Sequence, residues 1–99
     1  MNLEIVLQLV KENLGIKADV RDKYLNAIIK GVVKELEDEK GLILNGVNDY
    51  HLLFVVDYVS WCYQNKDHAG MPRHLQYRLH NLIIHVGGST IWPMIMNWH

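Results

Sequence analysis

Apolar residues recur along much of this chain at three- and four-residue steps, the period of helices that bury one face. Leu3, Val6, Leu7, Val10 and Leu14 predict a first helix over residues 2–14, closed by Gly15. Leu25, Ile28, Ile29, Val32 and Leu36 predict a second over 20–40, with Asp19 as its N-cap and Gly41 as its stop. Its other face carries Lys23, Lys30, Lys34, Glu37 and Glu39, and Lys34 is placed to pair with Asp38 one turn on. Gly31 costs a helix interior about 1 kcal/mol, which suggests a close helix contact there. Leu42–Gly46 reads as a short connector ending in an Asn45-Gly46 turn.

The third helix, 48–64, is apolar around most of its circumference, from Leu52 through Tyr63. Such a helix is expected to be central and buried on most sides. A polar loop, Asn65–Gly70, leads to a fourth helix that opens at Met71-Pro72. Leu75, Leu79, Leu82, Ile83 and Val86 form its stripe, and Gly87-Gly88 stops it as a hinge. No strand pair, internal repeat or low-complexity segment emerges. The expectation is an all-α chain: a small four-helix bundle over 1–86, then a Gly-Gly hinge and apolar C-terminal arm over 87–99.

That arm changes the picture. Ile91, Trp92, Met94, Ile95, Met96 and Trp98 crowd a segment with no Asp, Glu, Lys or Arg, and Pro93 interrupts any regular helix. Left free, it would expose more apolar area than soluble monomers tolerate. It either folds over its own bundle or docks on another subunit or partner. Its Trp and Met content resembles an interface core and favours docking.

Length and charge narrow the function. A chain of 99 residues with 49% hydrophobic content supports one folded domain. A formal charge of −1 argues against a general polyanion binder. Residues 1–58 carry seven Lys/Arg against ten Asp/Glu, whereas 59–99 carry Lys66, Arg73 and Arg78 against Asp67. This asymmetry suits head-to-tail packing of identical subunits, although so few charges also scatter by chance. No apolar run is long enough to span a membrane, and the N-terminus does not read as a signal peptide. The single Cys62 excludes an intrachain disulfide and fits a reducing compartment.

Candidate chemistry is sparse. Cys62 sits between Trp61 and Tyr63 late in an apolar helix, the setting of a structural cysteine rather than a nucleophile. His74, His80 and His85 lack chelating spacing; His80 and His85 are about 140° apart around a helix. Histidines at an interface would still make assembly pH-sensitive between about 5 and 7. His68 lies in the loop before them and nothing in its spacing demands a ligand role. The acidic run Glu35-Leu36-Glu37-Asp38-Glu39 reads as a solvated face, and Gly87-Gly88-Ser89-Thr90 lacks a P-loop lysine. Arg73, Tyr77 and Arg78 could form a small nucleic-acid patch, but two arginines release few counterions. A helix-turn-helix is disfavoured because the third helix is too apolar for a major groove. These features suggest no enzyme, no cofactor and no metal. They suggest an obligate oligomer or a component of a larger assembly.

Three passages carry a resemblance. They are Val10–Ile16 with Asp22, Leu25, Ile28 and Ile29; Asp57–Asp67; and Met71–Leu82. In these the chain resembles the small all-helical phage head–tail connectors, the head-completion adaptors of phages and prophages of Gram-positive bacteria. The resemblance spans roughly residues 3–86, and the last two passages are its more specific part. It implies a ring homo-oligomer under the portal protein that extends the DNA channel and docks a tail-side connector or stopper protein. DNA would pass without sequence-specific binding. The implied location is the head–tail interface of the virion, and the host cytoplasm during assembly. The arm after Gly87-Gly88 does not match the family pattern; its docking role, with Arg73 and Arg78 as further interface candidates, follows from composition. A small phage-encoded DNA-binding regulator is the alternative, and a non-catalytic subunit of a cytosolic enzyme is a third class.

Overall fold

The computed structural model describes residues 1–45, 47–67 and 70–87, with 84–87 as backbone alone. The described chain is all-helical, with no strand. Helix α1 spans Leu3–Leu14, α2 Asp22–Lys34, α3 Asp49–Gln64 and α4 Arg73–Gly87. One wide π turn, Glu35–Glu39, prolongs α2.

Local chemistry explains the boundaries. Asn2 caps α1, its side chain accepting the N–H groups of Glu4 and Ile5 at 3.0 and 3.4 Å. At the other end Gly15 adopts φ +74°. Its N–H bonds the Glu12 carbonyl and the Ile16 N–H bonds that of Lys11, the pairing of a Schellman stop. Asn48 caps α3 through the N–H groups of Tyr50 and His51. Pro72 lies one position before α4 rather than inside its first turn, and its carbonyl accepts from Gln76 N–H at 3.0 Å.

Helix α2 departs from expectation at both ends. It starts at Asp22, not Val20, and no side chain caps it. Asp19 does not serve as the N-cap because its carboxylate bonds Lys11 Nζ at 2.9 Å, and Asp22 joins the same ammonium at 2.9 Å. Lys11 thereby ties α1 to the start of α2. At the C-terminus the α-helix gives way to the π turn at the acidic run. Four carboxylates there oppose the negative end of the helix dipole. The wider turn keeps Leu36 in the core, and Gly41 at φ +70° folds Leu42 back into it. Lys34–Asp38 is not among the ion pairs of the described residues, which are Lys11–Asp19, Lys11–Asp22 and Arg78–Asp57. Gly31 marks no close contact: it is exposed, and a Cβ there would meet nothing within 4 Å.

Helix α3 packs against α1, α2 and α4. Val6 and Val10 from α1, Leu25, Ile29 and Val32 from α2, and Leu75 and Leu79 from α4 meet Phe54, Val55, Val56, Tyr58 and Val59. Burial of this set supplies the main drive to fold. The enclosure of α3 is less complete than its composition suggests, since Tyr50 and Leu53 remain exposed. Helix α4 runs back along α3. Gly70 shares a cleft with Trp61, Cys62 and Asn65, whereas Arg78 sits on Asp57 and Phe54.

Candidate interaction surfaces

Two surfaces stand at opposite ends of α3. At its C-terminal end a cleft of about 230 Å³ is lined by Tyr24, Ile28, Tyr58, Trp61, Cys62, Asn65, Lys66 and Gly70. Its rim is aromatic and cationic. Lys66 Nζ lies 5.1 Å from the Tyr24 ring centre and 5.2 Å from that of Tyr63, within cation–π range. Arg21 approaches Tyr63 at 5.8 Å from its ring centre and donates from Nη1 to its hydroxyl. Tyr58 closes the inner wall and donates to Glu35 at 3.0 and 3.2 Å. Burial first, and then the Glu35 bond, hold its phenol well above the usual tyrosine range.

Cys62 is half-buried in this cleft. Burial raises its thiol pKa, and the Glu35 charge adds to the effect. A thiol held protonated in this way is a poor nucleophile. The cleft is also smaller than the roughly 300–1,000 Å³ of ordinary ligand pockets.

The second surface lies at the N-terminal end of α3. Val47, Tyr50 and Leu53 follow at three-residue spacing and are 88, 75 and 52% exposed. Ile43, in the connector before them, is 74% exposed. Three bonds order this region, and the first of them ties it to α3. His51 Nδ1 accepts the Asn45 N–H at 3.0 Å, Asn45 Oδ1 accepts the Val47 N–H at 3.1 Å, and the Asn45 carbonyl accepts the Asn48 N–H at 3.0 Å. His51 is itself buried, and burial lowers its pKa. Ile43 and Val47 are thus presented by a tethered connector, and Tyr50 and Leu53 by α3 itself.

Among the residues predicted for an interface, Arg78 is half-exposed and bonded to Asp57 Oδ2 at 2.6 Å, with its guanidinium 5.6 Å from the Phe54 ring centre. Arg73 is exposed at the start of α4. The pair does not form one basic patch, because five helical residues turn Arg73 about 140° away from Arg78. Ile91, Trp92, Met94, Ile95, Met96 and Trp98 lie outside the described residues, as do Gly88 and His68. His74 and His80 are exposed on α4. Among the described residues no group of three or more His, Cys, Asp and Glu could hold a metal ion. No described helix is long and apolar enough to cross a membrane.

Two features escaped the sequence. One is the polar link Asn13 Nδ2 to Ser60 Oγ at 2.9 Å, between residues 47 apart in the chain. The other is the exposure of Tyr50 and Leu53, on a helix apolar nearly all round, in line with Val47 just before it. Their three-residue spacing was the available signal, hidden by the apolar neighbours.

No protein-family model matches the chain, and no curated protein or solved structure matches it.

Proposed function

We propose that this chain is a structural subunit of a phage head–tail connector, a small four-helix bundle with an apolar C-terminal arm. Copies form a ring beneath the portal protein, extend the DNA channel and offer a docking surface to a tail-side connector or stopper. The subunit carries no catalytic step, and DNA passes through the ring without sequence-specific contacts.

One observation carries the reading: the three passages that resemble the connectors adjoin one another in the fold. Asn13 in the first bonds Ser60 in the second, and Asp57 in the second pairs with Arg78 in the third. They therefore form one continuous unit built on α3. The two unlike surfaces at opposite ends of α3 support the same reading. A closed ring needs heterologous contacts, in which different patches of successive copies meet. An aromatic, cationic cleft at one end and an apolar stripe at the other fit that requirement. In the ring, the arm Ile91–Trp98 swings on Gly87-Gly88 to reach the portal or an adjacent subunit.

Light scattering after size exclusion, across protein concentrations and with and without purified portal protein, tests the proposal. The expected result is a discrete ring-sized species, alone or on the portal. A monomer at every concentration that also fails to bind the portal would overturn it.

A further inference from the structure

We infer that in the free subunit the stripe Val47–Tyr50–Leu53, flanked by Ile43, is the docking surface for the same chain's residues 91–98. The geometry of α4 leads there. Arg78 stands opposite Asp57, and α4 runs antiparallel to α3. Gly87 lies nine residues beyond Arg78, about 13 Å along the helix. Nine residues back from Asp57 is Asn48, the cap of α3. Helix α4 therefore ends level with the start of α3, beside the exposed stripe.

The chain beyond Gly87 has twelve residues, six of them the apolar set Ile91, Trp92, Met94, Ile95, Met96 and Trp98. Fully extended, they reach about 40 Å. The stripe begins at their point of departure, so little of that reach is needed. A short tether of this kind sets an effective local concentration in the millimolar range, above the working concentration of a second copy. Each buried Trp side chain removes about 150–250 Å² from water, and the stripe supplies apolar surface to receive it.

Docking within one chain requires no ring, so its failure and that of the connector reading are separable. The test uses the full chain in a Cys62→Ser background. Leu53→Cys is combined with Ile95→Cys, and Gln64→Cys with Ile95→Cys is the control. Gln64 is exposed on the same helix, eleven residues away, and within reach of the extended tether. Under mild oxidation the Leu53→Cys pair is expected to close an intrachain disulfide roughly tenfold faster than the control, independent of protein concentration. Equal rates would overturn the inference, because tethering alone then explains the contact. A bridge formed mainly between chains would overturn it in favour of a second copy as the occupant. A separate readout is Leu53→Asp, an exposed substitution that leaves the core intact. It is expected to shift the Trp92 and Trp98 emission to longer wavelength, and unchanged emission would contradict docking at this stripe.

Discussion

His51 is buried at the start of α3, and its Nδ1 accepts the Asn45 N–H at 3.0 Å. That role places the proton of the neutral ring on Nε2. Protonating Nδ1 would set a donor against a donor in a dry site and leave the Asn45 N–H without a partner. Burial accordingly lowers the His51 pKa below its ordinary 6.5. The unfolded chain then binds a proton near pH 6.5 that the folded chain refuses. Stability is fully present above pH 6.5 and falls as the pH drops from 6.5 through the folded pKa. One proton sets the limiting slope at about 1.4 kcal/mol per pH unit. Between pH 6.5 and 5 the loss reaches at most about 2 kcal/mol, a large share of the roughly 5–15 kcal/mol that holds a domain folded. Urea denaturation followed by far-UV circular dichroism at pH 7, 6, 5.5 and 5 measures it. His51→Asn keeps an acceptor, Oδ1, near the Nδ1 position and removes the titration. Its stability is expected to be lower at pH 7 because of the lost ring volume, but flatter towards pH 5. Parallel pH profiles for the variant and the parent would refute the assignment.

Gly31→Ala should stabilise the fold by about 0.5–1 kcal/mol in thermal or urea denaturation, because the site is helical and open around a Cβ. A loss of stability would reveal a contact there. Asn13→Ala and Ser60→Ala should show a coupling of about 0.5–1.5 kcal/mol in a double-mutant cycle, the worth of one part-buried hydrogen bond. Strict additivity would remove that link between α1 and α3. Arg78→Ala should cost under about 1 kcal/mol, since both partners of its ion pair are about two-fifths exposed. A larger loss would mean that stacking on Phe54, rather than charge, holds the residue.

Much of the fold was legible because its signals are local. The stripes of α1 and α2 predicted the residues that meet in the core, and Gly15 closed α1 as expected. The misreadings share a cause, which is competition from residues distant in sequence. Asp19 could cap a helix by its type, but Lys11 from α1 claims its carboxylate. The acidic run looked like a plain helical face, yet the end of α2 widens into a π turn there while Glu35 accepts from Tyr58, 23 residues on. Gly31 suggested a close approach that tertiary packing does not make. The surfaces were harder still. Periodicity shows which residues are apolar, but not which apolar residues of α3 the other three helices leave uncovered. Tyr50 and Leu53 look no different from Leu52 and Phe54 until α4 is placed.

The most direct test of the connector account is electron microscopy of the particles made by a phage or prophage whose copy of this chain has been deleted. The account predicts heads and tails that fail to join, and recovery of tailed particles when the purified chain is added back. Joined, infectious particles at normal yield without the chain would contradict it.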